Sequence, residues 1–462
     1  MMKKPELLSP AGSLKAMRYA YAYGADAVYA GQPRYSLRVR ENEFSKLEVM
    51  ADAITEAHSL GKKFYIASNI SPHNLKVRTY IKNMEPVIAM QPDALIMSDP
   101  GLIMMVREAF PDTPVHLSVQ ANCVNYATVK FWQKLGLERI ILSRELSLKE
   151  IAEMREECPE MELEVFVHGA LCIAYSGRCL LSGYMSYRDS NQGACTNACR
   201  WEYKVNEAEQ NMEGDIVLKN PQPALSLAND GPSYPDLPIV EQNPLSDEVF
   251  LLEEAGRHGD LMPAYEDEHG TYIMNSKDLR AIQHVKTFCD MGMSSLKIEG
   301  RTKSFFYAAR TAQVYRRAID DAVAGKEFDG DLMTMLDSLS NRGYTDAFYS
   351  RHMPNEMQTY EHGRSVANQQ KFVGDVIEVD NDFLTVEVKN KFEVGEEVEL
   401  MTPAGNVRFT LNQMFDVKGN PEEVAPGSGH FRKIPLEGNV SEEIREALQG
   451  HAGEFALLMK FV

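Results

Sequence analysis

Over the first 170 residues, short apolar runs alternate with longer segments of helical period. The runs are "ELLSP", "AVYAG", "KFYIASN", "ALIMSD", "VHLSVQAN", "RIILSREL" and "LEVFVHG". Between them, as in "SLKAMRYAYAYGA", "LEVMADAITEAHSLG" and "YATVKFWQKLG", apolar positions recur three and four apart, the spacing of an amphipathic helix. Gly24, Gly61, Gly136 and Gly292 stand where helical segments give way to strands, the place where a helix ends on a left-handed residue. An eighth strand, "SLKIEG" near residue 295, leads into the long helical segment "SFFYAARTAQVYRRAIDDAVAG". Repeated strand–helix units of this number predict an α/β fold, a (β/α)8 TIM-like barrel, with an insertion after strand 7. A doubly wound open sheet is the competing fold. It would carry a Gly-rich phosphate fingerprint after its first strand, and none is present.

The same pattern divides the chain. Residues 1–170 hold the first seven strand–helix units, 171–275 the insertion, and 276–345 the last barrel strand and its helices. A linker, 346–369, leads to a C-terminal domain over 370–462. There "KFVGDVIEVDNDFLTVEVKNKF" and "EEVELMTPAGNVRFTL" alternate with period two, which predicts a small antiparallel β-barrel. The insertion turns Pro-rich and acidic in "NPQPALSLANDGPSYPDLPIVEQNPLSDEVFLLEEAG", the composition of a solvated surface.

A 44% hydrophobic content supplies a large core. No apolar run reaches the ~18 residues needed to cross a bilayer. The opening "MMKKPELLSPAG" has lysines but no apolar stretch behind them, so neither a signal peptide nor a membrane role is expected, and the expected compartment is the cytoplasm. Lys and Arg total 48 against 67 Asp and Glu, a net charge of −19. That balance argues against nonspecific polyanion binding. It leaves room for a local basic face, for which "KVR" at 76–78, "RTK" at 301–303 and "FRK" at 431–433 are candidates.

A reducing compartment changes how the seven cysteines read. Four of them, Cys172, Cys179, Cys195 and Cys199, crowd into "GALCIAYSGRCLLSGYMSYRDSNQGACTNACR" immediately after strand 7. Clustered cytosolic cysteines point to metal or redox chemistry rather than disulfides. Six, fifteen and three residues separate them in turn, so only Cys195 and Cys199 have the short spacing of a zinc knuckle. An iron–sulfur cluster tolerates looser spacing and is favoured over zinc. Cys123, Cys158 and Cys289 read as buried, unreactive thiols.

In a (β/α)8 barrel the chemistry sits at the C-terminal ends of the strands and in the loops that follow. Those positions are Ser9, Asn69, Asp99, Gln120, Asn122, Arg144, His168 and Glu299, with Arg301 just beyond. Arg144, His168 and Glu299 are the catalytic candidates. Arg34, Arg38, Asn69, Gln120, Asn122 and Arg301 are the substrate-binding candidates, and Arg40 would reach the same mouth. Arg144 and Arg301 suit carboxylates, which a guanidinium holds in bidentate fashion, and Glu299 is expected to pair with an arginine when no ligand is bound. The sequence contains neither HExxH nor GxSxG, so the common metalloprotease and serine-hydrolase arrangements are missing.

The cysteine segment, in its context "EVFVHGALCIAYSGRCLLSGYMSYRDSNQGACTNACRWEY", resembles the signature of the collagenase-like peptidase family of formerly unknown catalytic type. The opening "PELLSPAGSLKAMRYAYAYGADAVYAG", the later "EDEHGTYIMNSKDL" and "SLKIEGRTKSFFYAARTAQVYRRAID", and "VEVKNKFEVGEEVELMTPAG" near the end are similar to further blocks of that family. The resemblance implies a tRNA-modifying enzyme that converts the anticodon wobble uridine to 5-hydroxyuridine, the first step toward 5-carboxymethoxyuridine. It further implies dependence on prephenate as co-substrate and on the iron–sulfur assembly machinery. Other members hydroxylate a ribosomal RNA cytidine or act in oxygen-independent ubiquinone synthesis, the latter with a four-cysteine [4Fe-4S] cluster. Carried over by position, the cluster ligands are Cys172, Cys179, Cys195 and Cys199. Some ubiquinone-pathway members take a ligand from the segment that here reads "NSKDLRAI", which has no cysteine, so Cys199 becomes the fourth. A peptidase and an oxygen-independent small-molecule hydroxylase are the alternatives.

Overall fold

The computed structural model describes residues 4–37, 43–171, 179, 277–341, 343–350, 370–380, 382–437, 440, 445, 448 and 453–461. For 203–210, 216–218, 249–254, 261–267 and 270–271 it describes the backbone alone. Seven strands come first: β1 (Glu6–Pro10), β2 (Ala27–Gly31), β3 (Lys63–Ser68), β4 (Ala94–Met97), β5 (Val115–Leu117), β6 (Arg139–Ile141) and β7 (Glu162–Ala170). Between them lie α1 (Leu14–Ala22), α2 (Leu47–Ser59), α3 (Asn74–Val77), α4 (Tyr80–Ile88), α5 (Pro100–Ala109), α6 (Tyr126–Lys134) and α7 (Leu148–Glu157).

Local chemistry sets these boundaries. Ser13 caps α1 by accepting from the Ala16 amide, and Ser147 with Glu150 forms a capping box on α7. Gly24 ends α1 at φ +100°, and a Cβ there would lie 2.5 Å from the Arg316 side chain. Dihedral and packing both demand glycine at that point.

The insertion contributes an antiparallel sheet made of β8 (Tyr203–Gln210), β9 (Ile216–Leu218), β10 (Val249–Glu254), β11 (Leu261–Asp267) and β12 (Gly270–Thr271). Of these strands, β10 falls within the acidic, Pro-rich segment expected to be solvated surface, and the others flank it. The chain then returns through β13 (Asp278–Arg280), antiparallel to the far end of β7, and α8 (Val285–Asp290) to β14 (Ser295–Ile298). β14 pairs in parallel with both β1 and β7 and closes an eight-stranded barrel. After it come α9 (Phe305–Val323), α10 (Asp331–Asp337) and β15 (Tyr344–Thr345). The barrel is the predicted α/β fold class.

The barrel interior is charged, where bulky branched side chains usually fill such a core. Period-two alternation turns Glu164 and Phe166 of β7 and Lys297 of β14 inward. Arg139 Nη1 lies 2.6 Å from Glu6 and 3.2 Å from Glu164, and Lys297 Nζ donates to Glu164 at 2.9 Å. Tyr65 donates to Glu6 at 2.9 Å. Buried charges are tolerated only when paired and hydrogen-bonded, and these are. Burial pulls the Lys297 ammonium below the ordinary lysine range, opposed by Glu164.

The C-terminal part folds from β16 (Gln370–Val379), β17 (Phe383–Val388), β18 (Phe392–Glu393), β19 (Glu397–Thr402) and β20 (Gly405–Thr410). It continues with β21 (Met414–Phe415), β22 (Pro421–Glu422), β23 (Val424–Ala425), β24 (Phe431–Pro435) and β25 (Leu457–Phe461). Eight of these form one antiparallel sheet in the order β20-β19-β25-β16-β17-β24-β21-β22, wrapped around its own core of Val373, Val386, Leu400, Ile434 and Leu458. It docks on the barrel through α1 and α9. Tyr19 donates to Asp375 at 2.7 Å, Phe306 stacks on Phe372, and Arg310 pairs with Glu399. Among the described residues no helix is long and apolar enough to cross a membrane.

Candidate active site at the barrel mouth

Three of the candidates, Arg301, Asn69 and Asn122, link loops at the C-terminal ends of the strands through Ser36, Leu37, Ser118 and Ser143, which are not among them. Arg301, two residues after Glu299, turns back across the mouth. Its Nη1 donates to Ser36 Oγ at 2.6 Å and its Nη2 to the Leu37 carbonyl at 2.7 Å. Gly31 makes room for it, since a Cβ there would lie 2.7 Å from Arg301 Nη1. The Leu37 amide donates to Asn69 Oδ1 at 3.3 Å, and Asn69 Nδ2 donates to Ser118 Oγ at 3.2 Å. Ser118 Oγ also accepts from the Gln120 amide at 3.4 Å. On the other side, Ser143 donates to Asn122 Oδ1 at 3.0 Å, beside Arg144.

Arg144 lies flat on the Phe166 ring, 3.9 Å from its centroid, and donates to the Ala170 carbonyl at 2.7 Å. Its Nη2 is 3.6 Å from Glu299 Oε2, the expected glutamate–arginine pair. Tyr29 donates toward the same carboxylate oxygen at 3.2 Å. Beneath this tier, Lys297 Nζ sits 4.3 Å from the Tyr29 ring centroid and 5.6 Å from that of Phe166. The two rings separate the mouth from the buried Lys297–Glu164 pair. Two guanidinium groups, one carboxylate and a phenol therefore converge at the mouth. That set can bind an anionic ligand in exchange for the internal Arg144–Glu299 contact.

The remaining candidates are placed differently. Arg34 is exposed in the turn after β2, and Arg38 and Arg40 lie outside the described residues. Asp99 caps α5 by accepting from the Leu102 amide at 2.9 Å. His168 does not face the mouth. Phe166 pairs with Lys297 but His168 with Ile298, so β7 carries an extra residue opposite β14 at this point. Such a bulge reverses the alternation and turns the imidazole into the helix layer. There its ring centre lies 5.4 Å from Tyr344, 5.6 Å from Tyr315 and 5.9 Å from Tyr307. Complete burial lowers its pKa to about 3, with nearby Asp278 opposing. The imidazole is neutral.

Tyr29, Phe166 and Lys297 belong to the site but do not appear among the sequence candidates. A signal for Lys297 existed: in "SLKIEG" it stands two residues before Glu299 and so shares its face.

Cys172, Cys195 and Cys199 lie outside the described residues; Cys179 is partly exposed. Their segment leaves the barrel at the mouth itself, since Arg144 holds the carbonyl of Ala170, two residues before Cys172. Gly169, at φ +107°, brings that exit against β14, where a Cβ would lie 2.3 Å from the Glu299 carbonyl oxygen. As a donor set, four thiols fit an iron–sulfur cluster. Among the described residues no group of three or more His, Cys, Asp or Glu is arranged to hold a metal ion. Cys123, Cys158 and Cys289 are buried, and burial pushes the thiols of Cys123 and Cys289 up to about 12 and about 11.

Residues 12–359 match peptidase family U32, and residues 368–445 match the peptidase family U32 C-terminal domain. The chain belongs to peptidase family U32. This family member is 58% identical to the tRNA hydroxylation protein P of Escherichia coli, over 98% of each chain. It is 59% identical to the protein of that name from Haemophilus influenzae, over 93% of this chain and 92% of the relative. It is also 26% identical to the E. coli 23S rRNA 5-hydroxycytidine C2501 synthase, over 97% of this chain and 61% of that one.

Proposed function

We propose that this protein hydroxylates RNA, and specifically that it converts the wobble uridine of a subset of tRNAs to 5-hydroxyuridine with prephenate as co-substrate. The observation that carries this reading is near-full-length similarity, 58% identity over 98% of both chains, to a protein named for tRNA hydroxylation. The mouth supports the co-substrate. Prephenate bears two carboxylates, and Arg144 and Arg301 offer two guanidinium groups at a mouth where the Glu299 carboxylate already lies against Arg144. The Phe166 and Tyr29 rings would form the floor, and the Lys297–Glu164 pair beneath them would hold that floor in position.

Replacing a ring C–H by C–OH is a two-electron oxidation that also needs an oxygen donor, so an external two-electron acceptor and an oxygen source must take part beside any one-electron carrier in the protein. Cys172, Cys179, Cys195 and Cys199 would hold a [4Fe-4S] cluster, which takes up and releases electrons when bound. Anaerobically purified protein is expected to be brown, with iron and acid-labile sulfide in near-equal amounts. Stoichiometric zinc without iron would overturn the cluster assignment.

Peptidase chemistry has less support. A Cys172–His168 dyad would need the imidazole at the mouth, whereas His168 is enclosed by tyrosines on the opposite face of β7. The decisive experiment is nucleoside mass spectrometry of tRNA from cells lacking the gene and any parallel oxygen-dependent route. Hydroxyuridine-derived wobble nucleosides should disappear, return with the parent gene, and stay about 100-fold down with Arg144→Ala, a rim change that should lower activity far more than folding. Unchanged nucleosides in the double-deficient strain would reject the tRNA reading in favour of a small-molecule hydroxylase.

A further inference from the structure

The outer face of the C-terminal sheet carries an arrangement that the barrel chemistry does not use. Leu384 and Val386 of β17 and Ile434 of β24 point into the core. Alternation therefore puts Phe383 and Glu387, and Phe431 and Lys433, on the opposite face. Phe415 of β21 pairs with Lys433 and meets the Phe383 ring edge-on at 6.1 Å. Lys433 Nζ lies 5.7 Å from the Phe383 ring centroid, and Phe431 is 40% exposed. Nearby Glu387 is neutralised by Lys389, and His430 is exposed at the rim. Phe431 is exposed on this face, and Phe383 and Phe415 are partly exposed beside Lys433.

The position of this face matters as much as its composition. Lys389 and Asn390, at the end of β17, bond to β16: the Lys389 amide donates to the Val373 carbonyl at 2.8 Å and Asn390 Nδ2 to the Phe372 carbonyl at 2.8 Å. Phe372 packs on Phe305, four residues beyond Arg301 at the barrel mouth. Along that route Lys15 Nζ lies 4.1 Å from the Phe305 ring centroid, and Lys371 is exposed. Lys15 pairs with Asp375 and Lys389 with Glu387, so Lys371 and Lys433 carry the basic character of this route in a chain whose net charge is −19.

We propose that the face formed by Phe383, Phe415, Phe431 and Lys433 is a stacking platform for an unpaired stretch of the RNA substrate while its target base occupies the mouth. This rests on the RNA reading above. Aromatic side chains stack on any base, and lysines follow the phosphates, so such a platform recognises single-stranded RNA without reading its sequence. Because target selection is left to the mouth, the platform contributes affinity rather than specificity.

The test uses the full chain and an unmodified transcript of a tRNA with a wobble uridine, with binding followed by fluorescence anisotropy. Phe431→Ala and Lys433→Gln together should weaken binding about tenfold or more with an unchanged melting curve, since both side chains face outward. Phe431→Trp should bind as the parent does, and Lys433→Gln alone should lower the salt dependence by a slope of about 0.7. If the parent binds the transcript and the double variant binds within twofold of it, the platform fails while the RNA reading stands; a protein-docking face would give that result. If the parent binds no RNA and hydroxyuridine persists in the deletion strain, the RNA reading fails and the platform goes with it.

Discussion

At the scale of single residues, His168 shows how the same side chain carries different meanings in sequence and in space. It ends a strand four residues before the first motif cysteine, which makes it an acid–base candidate. In the fold it is a neutral imidazole among tyrosines with a pKa of about 3. An unfolded chain would titrate it at about 6.5. Between those values the unfolded state binds a proton that the folded state refuses, so stability rises with pH across the window and is lost on acidification. Each pH unit within the window is worth on the order of 1.4 kcal/mol. His116, also buried and shifted down by burial with Arg139 and Lys297 adding to it, acts in the same direction. We expect urea unfolding at pH 7 and 5.5 to show the parent losing stability relative to His168→Phe, which keeps the aromatic packing but cannot titrate. The His116 contribution cancels in that comparison. A parent–variant difference that is the same at both pH values would contradict the buried, neutral assignment.

At the scale of elements, α9 does two jobs. One face supplies Tyr307 and Tyr315 to the barrel, and the other meets the C-terminal sheet through Phe306, Arg310 and Gln313. Arg310 is fully buried, and its Nη2 donates to Glu399 of β19 and, at 3.3 Å, to Gln370 of β16. Removing one partner of a buried pair leaves an uncompensated charge, which costs about 3–5 kcal/mol, whereas replacing both with apolar side chains of similar volume is close to neutral. Glu399→Gln should therefore lower the denaturation midpoint strongly, and Arg310→Met with Glu399→Leu should recover most of the loss. Equal destabilisation by the single and the paired change would show that the interface rests on other contacts. No sequence pattern announces this pair, because Arg310 lies in a helix whose polar positions read as solvent-facing until the second domain covers them.

For the whole molecule, the eight barrel strands and the helices between them follow from hydrophobic period and glycine placement, because each strand buries both faces and each helix one stripe. The ring of polar strand ends was legible for the same reason: once a chain is a (β/α)8 barrel, geometry dictates which residues reach the mouth. There Arg144 pairs with Glu299, and Arg301 and Asn69 both hydrogen-bond to the Leu37 backbone. Tertiary structure decided the rest. Arg301, in one of the basic triplets considered for RNA contact, instead crosses the mouth because Gly31 leaves it space. Asp99 went to cap α5, and β10 emerged from what reads as acidic surface. The orientation of His168 depends on a bulge created by pairing β7 with β14, whose Glu164 and Lys297 are 133 positions apart in the chain. Local sequence determines period, caps and turns, since those energies act between near neighbours. Which polar group finds which partner, and which face of the second sheet stays open, depends on contacts between distant segments that exist only after the chain has folded.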